Sequence, residues 1–405
     1  ETARRFSWME SEAPRRVMAA LEAALPGGAR YVGGCVRDSL LGEAVKDVDI
    51  ATRLRPEETI AALTKAGLAY APTGLAHGTV TIVARGKPFE VTTLRRDVET
   101  DGRHAKVAFT DSWEEDARRR DFTLNALYAA RDGTVFDPLG GMADLEAGRV
   151  RFIGDAEARI REDYLRILRF FRFNAYYGRG DFDAEGLRAS VKLRDGLSGL
   201  SAERVGGELK RILEAPRAYQ AIETLFDYGL LTALLGGVPR LARLQRLIAV
   251  EDTLGLEPDP ALRLGALAVF VEEDVSRLAD RLRFSNDEQS GLMLTVATPA
   301  YRGLPGEGHA KELLYRLKPE AFRRAILIAW ADSGEATGAA TWREAFSLPE
   351  RWTAPDFPVR GNDIAALGLH GPEIGAALRK LERAWIASDF ALDREALIAR
   401  AKQSD

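Results

Sequence analysis

Apolar and polar positions along this chain follow mixed short periods up to about residue 150 and helical periods from there to the end. Residues 13–25 place apolar side chains at helical spacing and stop at Pro26-Gly27-Gly28, which predicts an amphipathic helix. A short apolar strand around Tyr31 breaks at Gly33-Gly34 and continues as a helix through Leu41. Pro56 and Gly67 bracket a further helix with Ile60 and Leu63 on its apolar side. Alternating runs at 79–83 and 89–94 predict two strands around the turn Arg85-Gly86-Lys87, a hairpin beside the strand that starts at Asp47-Val48-Asp49 and enters Ile50. Residues 95–106 carry charges of both signs and almost nothing to bury, so a mobile loop is expected, with order resuming at Val107. Ser112-Trp113-Glu114-Glu115 has a capping-box pattern, its helix runs into Arg118-Arg119-Arg120, and Asp121 stands where it would cap the next helix. The overall expectation is an α/β first part followed by an all-helical remainder.

Composition narrows this picture. A chain of 405 residues with 46% hydrophobic positions has material for two to four domains. Net charge is −4, so any nucleic-acid binding must come from local basic patches in an acidic background. Cys35 is the single cysteine, and it reads as a small packed residue in a reducing compartment. No apolar run has the length of a membrane span and the N-terminus lacks a signal-peptide core, so a soluble cytoplasmic protein is expected. The four histidines (His77, His104, His309, His370) show no metal-ligand spacing, which argues against zinc chemistry.

Two stretches carry candidate chemistry. In the first, Gly33-Gly34 lets the backbone approach a ligand where helix N–H groups are exposed, and Arg37 follows in the first helical turn, a favourable place for phosphate. Asp47 and Asp49 alternate in an extended segment, so their carboxylates would share a face and suit a hard cation such as Mg²⁺ that takes its other ligands from phosphates and water. Glu90, in the second hairpin strand, is either a third acidic group near the metal or a surface strand residue. This is the equipment of phosphoryl or nucleotidyl transfer. In the second stretch, Arg161 to Phe173, Asp163, Arg166, Arg169 and Arg172 recur every three residues. On a helix that spacing winds slowly around the axis, so Asp163 and Arg166 can meet one ligand group, Arg169 an adjacent part, and Arg172 a phosphate, RNA or a salt bridge. The plainer alternative is an amphipathic helix with ion pairs worth a few tenths of a kcal/mol each. An aspartate accepts and an arginine donates, which complements the amino group and ring nitrogen of cytosine or adenine and opposes uracil and guanine.

The string Tyr31 to Asp49 resembles the first motif of the class II tRNA nucleotidyltransferase and bacterial poly(A) polymerase family. Arg119-Arg120-Asp121-Phe122-Thr123-Leu124-Asn125-Ala126 is similar to its second motif, and Phe136-Asp137-Pro138-Leu139-Gly140-Gly141 to the linking turn that follows. Glu162-Asp163 with Arg166 resembles its amino-acid template for the incoming base, and Ser201-Ala202-Glu203-Arg204 its last motif, where a helix-stabilising role is expected. The resemblance weakens after about residue 215 and returns faintly over the segment from Gly361 to Gly375. It implies an α/β nucleotidyltransferase (polymerase-beta-like) head at 1–150, a neck of base-binding helices at 151–215, a helical body at 216–340 and a tRNA-binding tail at 341–405. It further implies Asp47 and Asp49 as catalytic metal ligands with Mg²⁺. Gly34, Arg37 and Arg120 would bind the triphosphate; Asp163 and Arg166, with Arg169 and Arg172, would complete the nucleotide site. The implied activity is addition of CCA, or part of it, to tRNA from CTP and ATP, with no obligate protein partner. Poly(A) polymerase is the alternative on the same fold, and a catalytically inactive RNA-binding relative the alternative outside enzymes. Gly74-Leu75-Ala76-His77-Gly78-Thr79 favours the tRNA-directed members, while His104-Ala105-Lys106 departs from their usual pattern.

Overall fold

A computed structural model describes residues 6–71, 74–84, 87–101, 104–297 and 306–402. The chain divides into two compact units, Glu1–Leu230 and Leu231–Asp405. The first opens with helix α1 (Glu12–Ala24), whose Val17, Met18 and Leu21 are fully buried. Strand β1 (Ala29–Val32) leads through Gly33 into α2 (Gly34–Leu41), and β2 (Asp49–Thr52) follows. After α3 (Pro56–Lys65) come β3 (Tyr70–Ala71), β4 (Thr79–Ala84) and β5 (Lys87–Thr93). A two-stranded ribbon, β6 (Arg95–Asp101) and β7 (His104–Phe109), precedes α4 (Trp113–Arg118) and the short strands β8 (Tyr128–Ala129) and β9 (Val135–Phe136).

Among the described residues the main sheet has seven strands in the order β3-β4-β5-β2-β1-β8-β9. Only β2 and β5 run parallel, in a register that sets Asp49 beside Glu90. The expected 79–83/89–94 hairpin is present, and Arg85 and Gly86 of its turn lie outside the described residues.

The expectation of an unstructured loop at 95–106 is corrected. Arg95 pairs with Phe109 and Asp101 with His104 across a ladder that slips once between Asp97 and Glu99, while Gly102 and Arg103 lie outside the described residues. Poor burial capacity rules out a core, but a ribbon needs none to satisfy its backbone groups. The base of the ribbon is tied down: the Arg95 N–H donates to the Asp116 carboxylate at 3.3 Å.

Helices take over after α5 (Gly141–Ala147), which the Asp137 carboxylate starts by accepting the Gly141 and Met142 N–H groups at 2.7 and 2.9 Å. They are α6 (Ala156–Glu162), α7 (Leu165–Tyr177), α8 (Ala184–Lys192) and α9 (Ala202–Glu214). An aromatic seam joins α7 to the sheet part, with the ring centroid of Phe122 4.9 Å from those of both Phe152 and Phe173. Every regular element among the described residues of the second unit is a helix. One core gathers Leu247, Phe322, Trp330 and Trp342, another Ile364, Leu381, Trp385 and Leu397. No helix of the described residues is long and apolar enough to cross a membrane.

Asp116, almost wholly buried, is the polar centre of the first unit. It accepts from Arg119 at 2.8 Å, Arg120 at 3.1 Å and the Tyr128 hydroxyl at 2.8 Å. Burial works against its charge, but Arg120 and Arg119 outweigh that and hold the carboxyl at about 2. An unfolded aspartate titrates near 3.9, so the ionised form contributes about 2 kcal/mol of stability above that pH. The contribution is lost as pH falls through the folded value of about 2. Asp116→Asn is therefore expected to cost about 2 kcal/mol or more in denaturant unfolding at pH 7, and about half as much at pH 3.

Candidate active site

A cavity of ≈ 450 Å³ opens between the Gly33–α2 turn, the start of β2, the Arg120–Asn125 segment and α7. Gly33 adopts φ +73°, a left-handed conformation that suits glycine, and its N–H donates to the Leu127 carbonyl at 3.0 Å. The turn is therefore tied to the Leu127 segment, and Gly33 and Gly34 at the start of α2 line the cavity, where helix N–H groups favour an anion. Gly34, Arg37, Asp49 and Arg120 all line the space, with Asp163, Arg166 and Arg169 across it. The two template candidates do not share a helix, however: Arg166 lies on α7, and Asp163 stands between α6 and α7.

The segment 161–173, expected as one continuous helix, is broken at Asp163, whose backbone is extended at φ −158°, ψ 106°. The Asp163 carboxylate instead accepts the Leu165 N–H at 3.1 Å, acting as a cap that starts α7. Its other oxygen accepts from Arg204, on α9, at 2.7 Å. Two of roughly four lone-pair sites on that carboxylate remain for a ligand. Arg166 is held from behind by the Glu162 carboxylate and by the Arg159 carbonyl at 2.8 Å.

Other candidates are placed differently from expectation. Arg37 is nearly buried, donating to Asp38 at 2.8 Å, to the Tyr177 hydroxyl at 2.6 Å and to Asn125, so its guanidinium shapes the cleft as much as it faces it. Arg169 donates to Asp121 at 2.9 Å while lining the cavity. Asp121 is thus an ion-pair partner and not a helix cap; Arg169 and Asn125 overcome its burial and hold its carboxyl far below the ordinary range. Arg172 is not among the lining residues and forms a 2.6 Å salt bridge with Glu208, the salt-bridge option of the three its spacing left open. Arg204, Asn125 and Phe173 line the site and were not assigned to it from sequence. The Glu203-Arg204 motif was the available signal, but 41 residues separate Arg204 from its partner Asp163.

On the acidic side, Asp49 stands at the mouth of the cavity with Glu90 beside it on β5 and exposed Asp47 two residues before it. Neighbouring protein strips part of the hydration from the solvent-accessible Asp49 carboxylate and, with the charges of Glu90 and Asp47, pushes it up to about 6 against the pull of Arg120. Among the described residues no three His, Cys, Asp or Glu side chains form a ready-made metal cage. Hard carboxylate oxygens gathered without a cage fit a cation that completes its shell with phosphate and water, as Mg²⁺ does. Cys35, buried under the turn, has its thiol pushed up to about 12 by that burial and is a packing residue.

A cleft with carboxylates at one end, a glycine turn and arginines along its floor and a carboxylate–guanidinium pair at the other defines a nucleotidyltransferase. Residues 29–151 match the Poly A polymerase head domain family, and residues 181–244 the family described as the probable RNA and SrmB-binding site of polymerase A. Mitochondrial CCA tRNA nucleotidyltransferase 1 of Mus musculus is 37% identical over 93% of this chain and 86% of its own length. The CCA-adding enzyme of Geobacillus stearothermophilus is 33% identical over 92% of each. The crystal structure of the Bacillus stearothermophilus CCA-adding enzyme in complex with CTP superposes with a TM-score of 0.73 at 27% identity, covering 97% of this chain and 98% of that one. The chain belongs to the CCA tRNA nucleotidyltransferase family, an enzyme family whose reaction depends on metal.

The break at Asp163 has a steric support. The Tyr164 ring lies on Gly196, in the turn Arg194–Gly199, where an added Cβ would stand 2.0 Å from the ring. Gly196→Ala is expected to lose roughly 1–3 kcal/mol through overpacking. Gly199→Ala, with open space around it, should change little; chemical denaturation of the two variants checks the difference.

Proposed function

We propose that this chain adds CCA to the 3′ end of tRNA, taking CTP and ATP without a nucleic-acid template. The observation that carries the reading is the convergence of Asp163 and Arg166 with Gly34, Arg120 and Asp49 on one cavity of nucleotide size. The site belongs to the proposed head (1–150) and neck (151–215), with the body (216–340) and tail (341–405) as the region for the rest of the tRNA. Asp47 and Asp49 would hold Mg²⁺, with Glu90 alongside; when bound, the metal supplies Lewis-acid activation of the attacking hydroxyl and charge relief for the leaving pyrophosphate. Arg120 and the N–H groups behind Gly34 bind the triphosphate, and Arg37 holds the wall that they form.

Asp163 and Arg166 select the base. The remaining lone pairs of Asp163 accept from the amino group of cytosine or adenine, while Arg166 donates to the adjacent ring nitrogen. Uracil and guanine would oppose carbonyl to carboxylate and N–H to guanidinium, leaving polar groups unsatisfied at about 1–3 kcal/mol each. Arg169, braced on Asp121, lines the adjacent wall. Arg172 acts through Glu208, which orients α9 and so Arg204. The reducing environment expected of the cytoplasm agrees with a lone buried thiol.

The deciding assay supplies tRNA lacking its 3′ end with CTP, ATP or both and reads product length at single-nucleotide resolution. Growth by three residues only when both are present is expected; a long ladder with ATP alone would instead identify a poly(A) polymerase. Asp47→Ala and Asp49→Ala should each lower turnover more than tenfold while tRNA binding persists, measured by incorporation and by filter binding. Asp163→Ala should raise UTP use relative to CTP by about tenfold, the value of one buried hydrogen bond. Arg166→Ala should weaken CTP and ATP alike; single-turnover incorporation of all four nucleotides separates the two effects.

A further inference from the structure

Arg159 sits on α6 between the two halves of the site and is almost wholly buried. One terminal nitrogen of its guanidinium, Nη2, donates to the backbone carbonyls of Arg119 and Arg120, the latter at 2.8 Å. The other, Nη1, donates to the Glu162 carboxylate. That same Glu162 oxygen accepts from Arg166, and Arg166 also donates to the carbonyl of Arg159 itself at 2.8 Å. A single planar cation therefore touches the turn that aims Arg120 and the carboxylate that aims Arg166. Neither Arg159 nor Glu162 lines the cavity, so both stand behind the residues that would meet a nucleotide there.

We infer that Arg159 is a positioning residue for nucleotide selection, fixing the distance between the triphosphate-binding turn and the base-reading pair. This rests on the reading of Asp163 and Arg166 as the base selectors. A rigid guanidinium fork can hold two separate acceptors at a set spacing, whereas a lysine ammonium is a point donor on a flexible stem. With the spacing fixed, a nucleotide whose phosphates are seated must present its base edge at one depth, where a mismatched edge has no room to slide away from Asp163. With the spacing loose, the mismatched base can shift and keep part of its contacts, so discrimination falls together with affinity.

The test compares Arg159→Lys with wild type and with Asp163→Ala in full-length protein, using CTP and UTP incorporation into tRNA that lacks its 3′ end. Arg159→Ala is measured alongside, and Arg161→Ala, whose exposed side chain pairs with Glu157, serves as the neighbouring control. Melting curves establish that each variant is folded. Arg159→Lys is expected to retain the fold, to raise KM for CTP by about tenfold and to lower the CTP:UTP preference by a similar factor, the order of one lost charge-assisted hydrogen bond. Arg161→Ala should match wild type in both. A folded Arg159→Lys with wild-type KM and preference, or with reduced kcat alone, would overturn the inference by showing a purely structural ion pair. If Asp163→Ala relaxes selection and Arg159→Lys does not, the positioning role fails while the base-reading pair stands. If neither variant relaxes it, the base is selected elsewhere and both ideas fall.

Discussion

The ion pair between buried Asp121 and the cavity-lining Arg169 is the constraint on which the active site depends. Asp121 follows directly on Arg120, and Arg169 lies one helical turn beyond Arg166, so the pair ties the triphosphate side of the cleft to its base side. Asn125 and the Phe122 N–H occupy further lone pairs of the same carboxylate, both at 2.9 Å. A buried charge stripped of its partner typically costs about 3–5 kcal/mol, which makes any rearrangement of this junction expensive. Phe122, the next residue, is fully buried against Phe152 and Phe173, so apolar packing and charge pairing fix the same joint. Directional bonds set its angle and non-directional burial supplies most of its strength.

Charge is divided along the cleft with the same economy. Carboxylates of Asp49, Glu90 and Asp47 collect at one end, where lost hydration and then the charges of Glu90 and Asp47 leave Asp49 short of compensation. Along the floor each arginine already has an anionic or carbonyl partner: Asp116 for Arg120, Asp38 and Asn125 for Arg37, Glu162 for Arg166. Pre-paired guanidinium groups cannot swing freely, so the site loses little side-chain entropy when a nucleotide enters. The unmet need lies at the acidic mouth, where a cation bridging to phosphates would satisfy both partners at once.

A second support layer explains why the reading pair is not on a regular helix. Were 161–173 continuous, the residues before Leu165 would point where the helix axis sends them. The extended backbone at Asp163 lets its carboxylate cap α7, meet Arg204 and still face the cavity. Gly196 leaves the space that Tyr164 needs for this break. Breaking the helix costs hydrogen bonds along the backbone, and the cap and the Arg204 bond offset that loss.

Short-range patterns in the sequence determined a good deal. The α/β-to-helical change near residue 150, the hairpin of β4 and β5 and the glycine turn before α2 all rest on periodicity, turn chemistry and spacing that neighbours in the chain decide. Those same rules failed for 95–106, where composition forbade a core but a backbone ladder formed without one, and for 161–173, where helical spacing concealed a cap. Tertiary structure alone decided which arginine meets which carboxylate. Arg169 chose Asp121, Arg172 chose Glu208 and Asp163 received Arg204, each partner 36 to 48 residues distant in the chain. An arginine's charge and reach are written in the residue itself, but its partner is fixed only when packed elements bring one carboxylate within about 3 Å and exclude the rest from water's screening.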